Sequence, residues 1–326
     1  MPRKAAKPDP QPLLFPGFDA AAPLRPMPAT ARPLFLPGLV REAAQSLAIV
    51  AAARDAAHVV YRKWAEDLKA GVLHQLNETQ VEQDIFKGLF GALGYTTASA
   101  VSTGSGWTLA PKYHIPGDGI ADAALGRFGP DAPGTPRVMV ELKGAKVDLD
   151  RKSDGGRTPV QQVWEYLGYS ETARWAIVTN GVELRLYSRD RSRNHVHRVS
   201  MADLADPDAF RDFYALFRAE SLLDDLPTPD GTPRGKTAAE LMEATNQRQE
   251  AVGGELYAFY SDQREALVGE LLTRGVLDLD TRILTAQKLL DRVLFIAFAE
   301  DRGLIRSRTI KYCYEASVFN ASPVVS

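Results

Sequence analysis

The sequence predicts an α/β domain built on a mixed sheet flanked by helices, followed by a small helical domain. Three observations point there. Two stretches of helical apolar period come early in the chain; short apolar runs bounded by Gly and Pro follow; and beyond a polar, Pro/Gly-rich stretch the period becomes helical again. The 326 residues suffice for about two domains of ~100–200 residues each.

In order along the chain, residues 1–40 carry Pro8, Pro10, Pro12, Pro16, Pro23, Pro26, Pro28, Pro33 and Pro37, which block helices and central strands, so a disordered or extended arm is expected. Residues 41–70 read as helix, with Leu47, Val50, Val59 and Trp64 among charges. Asn77 and Gln80 resemble a capping box, and Val81, Ile85, Phe86, Leu89, Phe90 and Leu93 recur at helical spacing up to Gly94. Residues 120–125 and 137–143 are strand-like, joined by a turn-rich connection containing Gly126, Gly129, Pro130, Pro133, Gly134 and Pro136. Thr158-Pro159 starts a helix expected to reach Glu171. Residues 175–179 and 182–187 flank Asn180-Gly181, a two-residue hairpin signal. Asp206-Pro207 starts a helix ending near Leu223. The expected organisation is an arm over 1–40, an α/β domain over 41–223, a linker over 224–236, a helical domain over 237–312 and an uninformative tail over 313–326.

With 45% hydrophobic and 25% charged residues the composition is that of a soluble globular protein, and no stretch approaches the ~18 apolar residues of a membrane span. The start of the chain lacks the apolar core of a secretory signal, and the single cysteine, Cys313, has no Cys/His neighbours for a zinc site. A cytoplasmic location is expected. A net charge of −2 argues against binding nucleic acid by bulk positive charge, but leaves room for a local basic strip.

The chemistry centres on VMVELK. Alternation puts Val138, Val140 and Leu142 on one face and Glu141 with Lys143 on the other. Asp122 interrupts the apolar run IADAAL in the same way. Two carboxylates on adjacent strands can hold a divalent ion through hard oxygen ligands, and Lys143 beside them can orient a water or stabilise charge on a phosphate. Crowded carboxylates also repel, so removing either is expected to leave the fold nearly intact or firmer. An isolated E-x-K is as a rule solvated charge on an edge strand. Two further features stand against that here: Glu82 lies on the apolar stripe of its helix, where a carboxylate calls for a partner, and Gln162 and Tyr166 share a helical face at i and i+4.

In that order and spacing the pattern resembles the PD-(D/E)xK nuclease domains of type I restriction R subunits and of single-chain type IIG/IIL restriction-modification enzymes, from about Asn77 to Tyr187. The resemblance implies a restriction-endonuclease-like fold and Mg²⁺-dependent cleavage of double-stranded DNA. It further implies Asp122 and Glu141 on the metal, Lys143 as catalytic lysine, Glu82 as the acidic helix residue, and a Q-x-x-x-Y helix (Gln162, Tyr166) supporting DNA engagement. Ala121 stands where the family's pattern has Pro, and Gln161 competes with Gln162 for the glutamine position. The segment TAQKLLDRVLFIAFAEDRGLI is similar to the connector between nuclease and methyltransferase in the fused enzymes. Neither an NPPY-type motif nor a Gly-rich S-adenosylmethionine loop follows. The chain is thus expected to be the N-terminal part of such an enzyme, or to work with a separately encoded methyltransferase or specificity subunit. Part of the apolar stripe Leu284, Leu290, Val293, Leu294, Ala297 and Phe298 should then lack cover. The rival reading is a non-catalytic DNA-binding or assembly module.

Other signals are weaker. GTPRGKT (231–237) is one residue short of a P-loop and follows no strand. His195 and His197 lack a third metal ligand and suit an exposed hairpin extension. Arg185, Arg189, Arg191, Arg193 and Arg198 form the densest basic run; with Lys146, Arg151, Lys152 and Arg157 they are either solvated or in contact with DNA phosphates.

Overall fold

Strands that are apolar on both faces must be covered on both sides, and this chain does so with helices. The computed structural model describes residues 24–320 apart from 25, 29, 48–50, 77, 116, 118, 131, 153–155, 227–234, 277, 302–303 and 307. Its seven strands are β1 (Arg32–Pro33), β2 (Trp107–Ile115), β3 (Gly119–Gly129), β4 (Ala132–Leu142), β5 (Trp175–Thr179), β6 (Glu183–Ser188) and β7 (His195–Ser200). They form one mixed sheet in the order β1-β7-β6-β5-β4-β3-β2, parallel at β1/β7 and β4/β5 and antiparallel elsewhere.

Six helices flank the sheet: α1 (Pro37–Ser46), α2 (Ala51–Lys69), α3 (Glu78–Gln83), which continues as a π-helix over Asp84–Phe90, α4 (Pro159–Tyr169), α5 (Pro207–Phe217) and α6 (Ala219–Leu222). Along β4 the expected alternation sorts the two cores. Val138, Val140 and Leu142 join one with Trp64, Ile85, Phe90 and Phe213, while Met139 joins the other with Val163 and Leu167 of α4. Local chemistry sets the helix ends. Thr158 accepts from the Gln161 N–H while the Gln161 side chain accepts from the Thr158 N–H, with Pro159 in the first turn. Asp206 caps α5 by accepting from the N–H groups of Asp208 and Ala209. The helix that begins at α3 stops at Gly94, whose φ of +89° is left-handed. Buried donors find carbonyls: Trp64 Nε1 donates to Gly181 O at 2.9 Å and Tyr61 Oη to Leu89 O at 3.1 Å.

Several elements differ from expectation. The fold starts before residue 41: Leu34 and Phe35 are each 1% exposed, because β1 pairs with β7 and carries them into the core. The first helix is two, with Leu47 past the end of α1. The connection 126–136 is a long β-hairpin with two register shifts rather than loop, and Gly126 permits the close approach, since a Cβ there would lie 2.1 Å from Thr135 O. β2 was not expected at all. The second hairpin turns one residue later, with Asn180 opposite Glu183 and its Oδ1 accepting from the N–H groups of Val182 and Glu183. The proposed capping box at Asn77 lies outside the described residues.

The chain divides into residues 1–245 and 246–326. Ala238, Leu241, Met242 and Thr245 are buried in the first of these, which therefore runs past the expected border at 237. They open α7 (Ala238–Thr273), capped by Thr237, whose hydroxyl accepts from the Glu240 N–H while the Glu240 carboxylate accepts from the Thr237 N–H. The last residue of GTPRGKT is thus a helix cap. The second unit holds most of α7, α8 (Leu279–Asp301) and α9 (Thr309–Asn320). On α8, Leu284, Val293, Leu294 and Phe298 are exposed, and among the described residues only Ala286 and Ala299 are buried there. No described helix is long and apolar enough to cross a membrane.

Candidate active site

The sheet register assembles the site. Pro111 pairs with Ala123 and Tyr113 with Ala121, which sets Lys112 across from Asp122. Ala123 pairs with Val140, so the next step sets Asp122 across from Glu141. Cross-strand neighbours lie ~4.5–5.5 Å apart at Cβ, close enough for two carboxylates to share one ion. At this step side-chain bonding takes over from the β3/β4 ladder: Asp122 Oδ2 accepts from the Leu142 N–H at 2.8 Å. On the other side of β4, the Lys143 N–H donates to Thr179 O at 2.9 Å. Glu141 and Lys143 are therefore held between two strands, in the sheet interior and on the face covered by α4.

Glu141 is 2% exposed. Its carboxylate meets the Lys143 ammonium at 2.5 Å and the Tyr166 hydroxyl. Burial raises the Glu141 carboxyl above its ordinary value, and the charge of Asp122 raises it further, against the pull of Lys143 and Tyr166. Burial and then the charge of Glu141 push the Tyr166 hydroxyl well up, so it stays a donor. Lys112 Nζ stands between two carboxylates, 3.0 Å from Glu82 Oε2 and 2.9 Å from Asp122 Oδ1. Burial alone would lower the Lys112 ammonium, but its hydrogen bonds to Asp122 and Glu82 and their charges outweigh that and raise it.

Glu82, Asp122, Glu141, Lys143 and Tyr166 thus come together. Gln162 is on the same helix, its Oε1 buried with no hydrogen-bond partner among the described residues. Gln161 is committed to the α4 cap, so the glutamine left for the site is Gln162. Lys146 and Lys152 are exposed, Arg157 pairs with Glu165, and Arg151 is 3.4 Å from Asp148. The basic run is mostly structural. Arg185 is 1% exposed and bound to Asp150 and Glu183, Arg198 pairs with Glu183, and Arg189 donates to the carbonyls of Leu167, Ser170 and Glu171 at the end of α4. Phosphate contact by Arg185 or Arg189 is therefore set aside, because their donors are already used. Arg193 lies over the Trp164 ring, and Arg191 is half-buried. His197 is no exposed hairpin residue: it packs against Phe35 and Phe217, and burial lowers its imidazole to about 4.

Lys112 escaped the sequence reading. The alternation Trp107, Leu109, Tyr113, Ile115 is present, but Pro111 breaks it in the middle. Among the described residues no three His, Cys, Asp or Glu side chains form a metal-holding group. The donor set that exists is the Asp122–Glu141 pair. It suits Mg²⁺, which binds through one or two carboxylates and keeps several waters. No family model, curated protein or solved structure matches the chain.

A pH dependence follows from Glu141. A carboxyl raised on folding contributes stability that is complete below its unfolded value of 4.5 and lost as pH rises through the folded value. In EDTA, the unfolding free energy of Glu141→Gln should therefore gain on that of the unsubstituted chain as pH climbs through this window. Urea titrations at stepped pH check this; parallel profiles would show that Glu141 is not strained by its burial.

Proposed function

We propose that the chain is a Mg²⁺-dependent endodeoxyribonuclease of the PD-(D/E)xK type, serving a restriction-modification or related defence system. The observation that carries this reading is the placement of Asp122 across from Glu141 on interior strands, with the Lys143 ammonium on Glu141. Asp122 and Glu141 would hold the ion, which when bound lowers the pKa of its water and offsets charge on the scissile phosphate. Lys143 places a positive charge where an attacking water or a phosphate oxygen would sit. Tyr166 donates to Glu141 and fixes its carboxylate, and the Gln162 amide stands ready on the same helix for a polar partner. Lys146, Lys152 and Arg157, all exposed, supply a basic strip for the DNA backbone.

The exposed apolar residues of α8 favour a second reading, in which the chain is an assembly module docking a methyltransferase or specificity subunit. One assay separates the two. Purified chain is incubated with supercoiled plasmid in Mg²⁺, in Mn²⁺ and in EDTA, over a range of salt. Nicking or linearisation that needs the divalent ion is the expected result. DNA binding without cleavage in either metal would leave the assembly module.

A further inference from the structure

We propose that Lys112 is the resident cation of this site: its ammonium bridges Glu82 and Asp122 in the metal-free protein and withdraws when Asp122 takes a divalent ion. This rests on the metal-dependent reading above and adds to it a control on metal affinity. Asp122 has two oxygens. Oδ2 accepts from the Leu142 N–H, and Oδ1, the oxygen that this bond leaves over, is held by Lys112. A divalent ion on Oδ1 would sit beside the ammonium, and like charges at that range disfavour each other.

The two sides of the ion pair differ in freedom. The side chains of Glu82 and Asp122 are 18% and 21% exposed, whereas that of Lys112 is 54% exposed on a flexible four-carbon stem. The carboxylates stay; the ammonium can leave for water. The backbone supports a role for the side chain itself. Lys112 has φ +50°, one of two left-handed non-glycine residues among those described, where glycine or asparagine would fit with less strain. The alternative is a plain strut tying α3 to β3, which would keep its ammonium in place whatever Asp122 binds.

Two measurements decide. On the unsubstituted chain, acetylation of each lysine is followed by mass spectrometry as Mn²⁺ is titrated. Labelling of Lys112 should speed up several-fold on saturation, with Lys311 in the second unit unchanged. By isothermal titration, Lys112→Gln should bind Mn²⁺ about tenfold more tightly, since two half-exposed ion pairs no longer have to be given up. If Mn²⁺ binds but Lys112 labelling stays constant, or if Lys112→Gln binds no more tightly, Lys112 is a strut and the exchange is wrong while the metal site stands. If Mn²⁺ binds neither protein, both the exchange and the metal-dependent reading fall. Should Lys112→Gln not fold, the labelling on the unsubstituted chain decides alone.

Discussion

Lys143→Met, Asp122→Asn and Glu141→Gln should each lose at least ~10²–10³-fold in Mg²⁺-dependent DNA cleavage, the usual effect of removing one preorganised charged group from a reacting centre. The fold should survive all three. The asparagine can still accept from the Leu142 N–H and the glutamine can still meet Tyr166; Lys143→Met takes the ammonium from buried Glu141, which keeps Tyr166 and can take up a proton, so it should cost stability without unfolding the chain. Alanine separates the two acids. Removing the Asp122 carboxylate leaves a strand N–H without its acceptor, at about 1–3 kcal/mol, whereas neutralising Glu141 relieves a buried charge. The expected result for Asp122→Ala is therefore a loss of stability, while for Glu141→Ala it stays a nearly unchanged or firmer fold, and thermal melting of the two proteins compares them. Cleavage by Lys143→Met at the rate of the unsubstituted chain would remove the proposed catalytic assignment outright.

Arg185→Met should be the most destabilising single change on the α4 face. The guanidinium donates to both Asp150 oxygens at 2.8 and 2.9 Å and to both Glu183 oxygens at 2.9 and 3.0 Å, and Glu183 is itself buried. Removing one partner of a buried ionic group commonly costs ~3–5 kcal/mol, because the remaining charge stays away from water. Asp150→Asn should cost far less, about 1 kcal/mol or below, since that carboxylate is 40% exposed. Equilibrium denaturation of both proteins gives the comparison. Near-equal losses would mean that Glu183 is adequately served by Arg198 alone.

Much of the site was legible because its residues break a pattern. Asp122 and Glu141 interrupt apolar strands and Glu82 interrupts an apolar helical stripe, anomalies that period alone marks; Gln162 and Tyr166 share a helical face as many pairs do, and only the resemblance marks them. Lys112 cannot be found that way. Its partner Asp122 comes from the β2/β3 register and its partner Glu82 from α3, both relations between distant segments, and its own strand is disguised by Pro111. The arginine run failed for the opposite reason. Charge density in one dimension suggested a phosphate strip, while in three dimensions Arg185 and Arg189 point back into carboxylates and helix-end carbonyls. Proline misled twice more: Pro33 concealed a strand at the sheet margin, and Pro136 concealed the course of β4, because proline excludes central ladder positions but not margins and bulges.

The two outermost strands also limit how copies of this protein can meet. In and just after β1 the N–H groups of Arg32 and Leu34 donate to Asn194 O and Val196 O, before and within β7, and the residue between them is Pro33, which has none. At the opposite margin β2 carries Pro111 and the charged Lys112. Unpaired strand margins invite a second chain to add on, and short length, proline and lysine are the usual defences against such growth. Proline at each margin thus works against end-to-end stacking, and aggregation of the folded first unit by strand addition should be slow even in concentrated solution.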